Sequence, residues 1–280
     1  MDLIKTIEGN GKLLCFDSIK IMGILNSTPD SFYTHNLYPE FKDKQKQINR
    51  FVQEGVDILD LGAVSTRPGA TLIDAEEEWN RLKPVLEWTR KEFPDIFISI
   101  DTFRSEIVEK AFDLGINMVN DISAGKYDKN LWDTLAKYQL PYVLMHMQGD
   151  PATMQEKPHY ENIQQEIMDY FLENIYKLQS KGIKDIILDP GFGFGKNKTH
   201  NYELLHNLDS FSVLNTPILV GLSRKTMLYE LLGKKPDEVL NASTVVHTIA
   251  ALKGATIFRV HDVDAMNDVK IIINQFKNFR

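Results

Sequence analysis

Cysteine is nearly missing from this 280-residue chain: Cys15 stands alone, so no internal disulfide can form and nothing depends on an oxidising compartment. The expected role of Cys15 is that of a buried small hydrophobe. Long apolar runs are missing too. None approaches the ~18 residues of a membrane-spanning helix, and the opening MDLIKTIEGNGKLLCF carries Asp2, Lys5 and Glu8 with no apolar stretch fit for a secretory signal. Without that signal, Asn26-Ser27-Thr28 and Asn241-Ala242-Ser243 are chance matches to the glycosylation triplet, and the expected location is the cytoplasm. Basic charge is not in excess: 32 Lys and Arg face 39 Asp and Glu, a formal net charge of −7. That balance argues against general affinity for nucleic acid or anionic membrane, so an anion bound here must meet cations gathered locally. Low-complexity tracts, Pro/Gly/Ser linkers and letter-for-letter repeats are also absent. The composition, 43% hydrophobic and 25% charged, excludes a disordered or fibrous chain. The length suits either one α/β barrel of roughly 250 residues or two ordinary domains.

What the chain does have is a rhythm. Short, often β-branched apolar runs recur at Ile21 to Leu25, Val56 to Leu61, Ile96 to Ile100, Ile116 to Val119, Tyr142 to Met145, Asp185 to Leu188, Ile218 to Val220 and Thr256 to Val260. Each reads as a strand buried on both faces. Between them lie helical spacings at Ala75 to Lys91, Ser105 to Leu114, Ile163 to Lys181 and Val239 to Lys253, the last stopped by Gly254. Eight strands alternating with helices predict a (β/α)8 TIM barrel, one domain over residues 1–280, with a doubly wound sheet as the alternative. Ile4 to Phe16, with Glu8-Gly9-Asn10-Gly11 at its middle, reads as a hairpin preceding the first barrel strand.

Barrel enzymes build their sites at the C-terminal ends of the strands. Those ends carry Asn26, Asp60, Asp101, Asn120 with Asp121, His146, Asp189, Ser223 with Arg224 and Lys225, and Arg259 with His261. Asp101, Asn120 and Asp189 lack the Cys or His partners of a zinc site and suit a flat heterocycle bearing N–H donors. Taken singly, each could instead cap a helix or anchor the rim. Arg67, Arg224, Lys225, Arg259 and His261 make a cationic group on the same face, fit for phosphate. Ser223 is placed to cap the helix after the seventh strand. Asn26 either offers Mg2+ an amide oxygen, leaving the ion its waters and substrate phosphates, or is a turn residue before Pro29-Asp30. The loop Asp189-Pro190-Gly191-Phe192-Gly193-Phe194-Gly195-Lys196 fails the Walker pattern at Pro190 and Asn197. It reads better as a glycine loop presenting Phe194 to a ligand. Glu76 to Glu78, Lys42 to Lys46, His159, His200, His206 and His247 read as solvated faces or packing residues.

At this point the motifs resemble the dihydropteroate synthase family. The matching stretches are Gly23 to Phe32, Ser65-Thr66-Arg67-Pro68-Gly69-Ala70, Ser99 to Thr102, Asn120-Asp121-Ile122, Leu144 to Gly149, Asp189 to Lys196, Ser223-Arg224-Lys225 and Arg259-Val260-His261-Asp262. The resemblance implies a pterin-binding barrel, usually a homodimer. Such enzymes join 6-hydroxymethyl-7,8-dihydropterin diphosphate to p-aminobenzoate and release diphosphate in folate biosynthesis, by a dissociative substitution. Carried onto this chain, Asp101, Asn120, Asp189 and Lys225 hold the pterin ring, with Ile122, Met145 and Phe194 lining its pocket. Asn26, Arg67, Arg259 and His261 hold diphosphate and Mg2+, with Thr66 nearby; Ser223, Phe32 and Pro68 help form the p-aminobenzoate site.

Two stretches depart from the family pattern. Tyr33-Thr34-His35-Asn36 replaces an Asp-Gly-Gly type turn, and Ala63-Val64 replaces Gly-Glu; both bear on loop geometry and sulfonamide sensitivity. A methyltetrahydrofolate-dependent methyltransferase would not need Thr66-Arg67-Pro68, Arg259 and His261. A catalytically dead pterin-binding scaffold should have lost some of Asn26, Asp101, Asp189, Lys225, Arg259 and His261, and a sugar-phosphate isomerase gives no reason for Asn120 and Phe194.

Overall fold

The computed structural model describes residues 6–26, 38–63, 73–149 and 158–277. The chain opens with the hairpin, β1 (Thr6–Gly9) against β2 (Lys12–Cys15), paired antiparallel from Thr6↔Cys15 to Gly9↔Lys12. Its two-residue turn places Asn10 at φ 49° and Gly11 at φ 76°, the pair of left-handed residues a type I′ turn needs. Period-two alternation turns Ile7 and Leu14 inward and leaves Cys15 exposed. The expectation of a buried Cys15 is thereby corrected.

Eight parallel strands follow: β3 (Lys20–Asn26), β4 (Ile58–Gly62), β5 (Phe97–Asp101), β6 (Met118–Asp121), β7 (Tyr142–Met145), β8 (Ile186–Asp189), β9 (Leu219–Val220) and β10 (Ile257–Val260). The helices are α1 (Tyr38–Gln53), α2 (Ala75–Glu92), α3 (Ser105–Phe112), α4 (Leu131–Tyr138), α5 (Ile163–Ser180), α6 (Lys198–His206), α7 (Thr226–Leu232), α8 (Leu240–Leu252) and α9 (Val263–Lys277). The sheet runs β8-β7-β6-β5-β4-β3-β10-β9. A bridge between Leu188 and Ile218, with Leu188 N–H donating to Pro217 O at 2.9 Å, closes it into the (β/α)8 barrel.

Strand parity sorts the side chains. Met22, Ile58, Phe97, Met118, Val143, Ile187, Leu219 and Ile257 form one buried cluster with Ile7 and Leu14 of the hairpin. They fill the bottom of the barrel, and the hairpin stoppers it. The opposite parity, Ile21, Leu59, Ile98, Val119, Leu144, Leu188, Val220 and Phe258, joins the larger cluster beneath the helices. The stopper is held by hydrogen bonds: Asn117 Nδ2 donates to Gly9 O at 3.0 Å and Glu8 N–H to Asp185 Oδ2 at 2.9 Å. Glu78, expected on a solvated face, is fully buried because it accepts from the Thr102 hydroxyl at 2.6 Å and pairs with Arg104. The helix start at Ala75 is set by Asp74, whose carboxylate accepts from Glu77 N–H at 2.8 Å.

Candidate active site

Two residues beyond the apolar floor, the inward parity changes character. Along every barrel strand but β9, which ends at Val220, the next inward positions are Ile24 and Asn26, Asp60 and Gly62, Ser99 and Asp101, Asn120, Met145, Asp189, and Arg259. The same alternation that packs the floor therefore builds the mouth.

Arg259 sits between two carboxylates. Its Nε donates to Asp60 Oδ2 at 2.7 Å and its Nη2 to Asp101 Oδ2 at 2.6 Å. Asn120 Nδ2 donates to the same Asp60 oxygen at 3.2 Å. Asp60 is completely buried, and its Oδ1 has no partner among the described residues. Burial pushes the Asp101 pKa up to about 7, with Arg259 opposing and the Asp60 charge reinforcing the shift. Burial works against the Arg259 charge as well, but Asp60 and Asp101 outweigh it and hold its pKa above the ordinary value. Sequence reasoning gave Asp60 only a place among the strand ends. It lies mid-strand, beneath the mouth, and links the principal cation to the principal amide. The available signal was an Asp at an inward position on a strand otherwise reading Ile58, Leu59, Leu61.

Across the mouth stands a second group. Asp189 Oδ1 accepts from Gly191 N–H at 2.8 Å; burial raises its pKa, while the Gly191 bond and Lys225 oppose the shift. Burial lowers the Lys225 pKa to about 8 against the pull of Asp189, and its ammonium lies 4.6 Å from the Phe194 ring centre. Ile122, Met145 and Met147 form a small buried cluster against which Phe194 packs. The acceptors Asp101, Asn120 and Asp189 thus share the barrel mouth with an apolar wall, the combination a flat polar ring requires. His146, named among the strand ends, and Lys196, named in the glycine loop, were given no role of their own: Lys196 is 2% exposed and its ammonium lies 3.0 Å from His146 Nδ1.

Among the described residues, one cation expected on the rim is already paired. Arg224 forks onto Asp262 through Nε at 3.0 Å and Nη2 at 2.6 Å, so it serves the scaffold. Ser223 does not cap α7, which starts at Thr226 with Lys225 in the cap position. The Ser223 hydroxyl instead accepts from His261 N–H at 3.4 Å, because the chain turns once more before the helix begins. His261 follows β10 directly and so stands beside Arg259 in the chain. Phe32, Thr66, Arg67 and Pro68 lie outside the described residues, as do Tyr33 to Asn36 and Val64. Ala63 is buried.

Asn26 closes β3 and is exposed. A Cβ on Gly62 would stand 3.2 Å from Asn26 Oδ1 and 3.2 Å from Asp101 Cβ, so the missing side chain keeps space open beside that amide. Among the described residues no group of three His, Cys, Asp or Glu could hold a metal. A single neutral oxygen with open space beside it fits Mg2+ that retains its waters and shares substrate oxygens, and does not fit zinc.

Residues 22–261 match the family described as pterin binding enzyme. The chain is 42% identical to the dihydropteroate synthase of Escherichia coli strain K12 over 266 residues, covering 93% of this chain and 94% of that one. In structure it is similar to the Yersinia pestis dihydropteroate synthase solved with a sulfonamide drug, at TM-score 0.91 and 35% identity, covering 98% and 99% of the two chains. It is similar also to the Xanthomonas albilineans enzyme solved with 4-aminobenzoic acid, at TM-score 0.89 and 35% identity over 97% and 98%. The fold and mouth are those of a pterin-binding barrel enzyme. The chain belongs to the dihydropteroate synthase family, the transferases of folate synthesis.

Proposed function

We propose that this mouth joins 6-hydroxymethyl-7,8-dihydropterin diphosphate to p-aminobenzoate by dissociative substitution. The observation that carries the reading is the Arg259 guanidinium set between Asp60 and Asp101, opposite Asp189, Lys225 and the apolar wall. Asp101, Asn120, Asp189 and Lys225 hold the ring, which lies against Ile122, Met145 and Phe194. Arg259, with His261 and Arg67, neutralises the diphosphate, with Thr66 nearby. The methylene C–O bond breaks with its electron pair leaving on diphosphate, and the ring delocalises the resulting methylene cation. The arylamine nitrogen then attacks that carbon and releases a proton to water. An arylamine is neutral and nucleophilic at pH 7, so the residues contribute positioning and charge neutralisation rather than a strong base. Ser223, Phe32 and Pro68 are assigned to the p-aminobenzoate site. Mg2+ held at Asn26 would supply further neutralisation of the leaving group.

Diphosphate release measured with both substrates and Mg2+ tests the reading. Release is expected to require the arylamine, and arylamine-independent release overturns it.

Two accompanying features belong to the same proposal. Val245, Ile249 and Leu252 make an exposed apolar stripe along α8 at helical spacing, with Leu231 and Leu232 on α7 and Ile272 and Phe276 on the neighbouring α9. A second copy of this chain is the occupant we assign to it, and sedimentation equilibrium should return twice the 32.2 kDa chain mass. Cytoplasmic location is the other. No described helix is long and apolar enough to cross a membrane.

A further inference from the structure

We propose that Lys196 is a positioning residue for the pterin pocket: its ammonium ties the glycine loop onto the end of β7 and so fixes Phe194 and the Asp189 carboxylate. The inference rests on the pterin-binding reading of the mouth.

The loop between β8 and α6 places Gly191, Gly193 and Gly195 at φ 71°, 84° and 61°. Backbone in that state has no ladder to satisfy its carbonyls, so each must find another donor. Tyr160 hydroxyl serves Gly195 O at 3.0 Å, and Asn201 Nδ2 serves Lys196 O at 3.2 Å. Through those bonds both anchors act on the last residues of the loop, and Asn201 Oδ1 also accepts from Gly193 N–H at 2.7 Å. Gly191 O accepts a turn bond from Phe194 N–H at 3.1 Å, and Lys196 adds a side-chain donor to both inner carbonyls: its Nζ donates to Gly191 O at 2.9 Å and Phe194 O at 3.0 Å. Its third donor meets His146 Nδ1 at 3.0 Å. An ammonium has three N–H bonds, and all three are used. His146 then keeps its own proton on Nε2. Burial, followed by the Lys196 charge, holds its pKa well below the ordinary value.

Holding a cation here is unfavourable. Burial lowers the Lys196 pKa to about 7, and none of its hydrogen bonds goes to a carboxylate. A methionine would fill similar volume with no charge to desolvate. What the ammonium adds is geometry. Gly191, held through its carbonyl, donates its N–H to Asp189 Oδ1 at 2.8 Å, so the clamp continues to a ring-binding carboxylate. Phe194, held through its carbonyl, keeps its ring against Ile122, Met145 and Met147 and beneath Lys225. The loop is also pressed onto β7 without slack, since a Cβ on Gly191 would stand 1.9 Å from His146 O.

The test compares wild-type protein with Lys196→Met and Lys196→Gln. Calorimetric titration with 6-hydroxymethyl-7,8-dihydropterin diphosphate, thermal melting and steady-state KM values for both substrates are measured. Lys196→Met is expected to melt close to wild type, because relief of the buried charge offsets the lost bonds. It should bind the pterin about tenfold more weakly or worse, the scale on which removing a partner behind a ligating group acts, with KM for p-aminobenzoate unchanged. Lys196→Gln keeps two N–H donors for the Gly191 and Phe194 carbonyls and should recover part of that affinity. A lower melting temperature with unchanged pterin affinity in both variants shows a merely structural lysine and overturns the proposal. If the Met variant does not fold, the Gln variant is compared with wild type directly, and unchanged affinity there overturns it equally. Wild-type protein that binds no pterin overturns the reading of the mouth itself.

Discussion

Arg259 Nε donates to the buried Asp60 at 2.7 Å, and the oxygen that receives it also receives Asn120 Nδ2 at 3.2 Å. One carboxylate oxygen thus orients both the cation assigned to the leaving group and an amide assigned to the ring. Asp60→Asn keeps the shape and removes the charge. We expect kcat to fall about tenfold, in line with the loss of a charge-assisted hydrogen bond of ~1.5–3 kcal/mol, while pterin affinity moves less. Steady-state kinetics beside direct pterin titration decides it, and unchanged kcat would remove Asp60 from the working set.

Arg259→Ala separates leaving-group chemistry from ring binding. Loss of a preorganised charge partner in the transition state lowers kcat by about 10²–10³, whereas pterin affinity should drop far less. Equal losses in both would contradict the dissociative role. The same variant strands Asp60 and Asp101 without their cation, so its melting temperature should fall as well.

Two groups bound the pH range. Burial pushes the Asp101 carboxyl up to about 7 and the Lys225 ammonium down to about 8. If an ionised Asp101 and a charged Lys225 both hold the ring, pterin affinity rises as pH passes 7 and declines above 8. Stability follows linkage. The Asp101 pKa is raised in the folded state, so its contribution is fully present below the ordinary carboxylate value and is lost as pH rises through 7. The advantage in melting temperature of Asp101→Asn over wild type should therefore grow from pH 5 to pH 8. A constant difference would mean that the carboxylate is not perturbed.

At the other end of the barrel, Asn117 holds the stopper. Its side chain is 1% exposed; Oδ1 accepts from Ile98 N–H at 2.9 Å and Arg90 Nη2 at 3.0 Å, and Nδ2 donates to Gly9 O. Asn117→Ala strips the buried Ile98 N–H of its acceptor, at about 1–3 kcal/mol, and removes one bond each from Gly9 O and from Arg90, which keeps Gly115 O. Denaturant unfolding should show a marked loss of stability with both KM values intact. A shift in KM would show that the stopper communicates with the mouth.

Much of this fold was legible because its signals are local. The runs Tyr142 to Met145 and Asp185 to Leu188 are short and mostly apolar, as buried strands are, and Asn10-Gly11 favours one kind of turn. The residues at the strand ends were legible because chain order alone places them at one face. Partnerships were not. Arg224 could not be seen to face Asp262, nor Glu78 to face Arg104, because each pair is joined across helices and loops by tertiary packing. Cys15 was misjudged because an apolar neighbourhood says nothing of parity, and Ser223 because the chain makes one more turn before its helix starts. Counting in twos along β4 would have raised Asp60, since the position that follows Ile58 on the inner face belongs to it.

Among the described residues, the hairpin makes the barrel a vessel stoppered at one end. Ile7 and Leu14 pack into its base, so among the described residues an apolar plug stands below the groups assigned to the ring. Whatever reaches Asp101 and Asp189 must come past the rim, and whatever is released must leave by that route. On the proposed reading, a substrate resting on the rim would stand in the way of one bound deeper, a constraint set by the hairpin at the opposite end of the barrel.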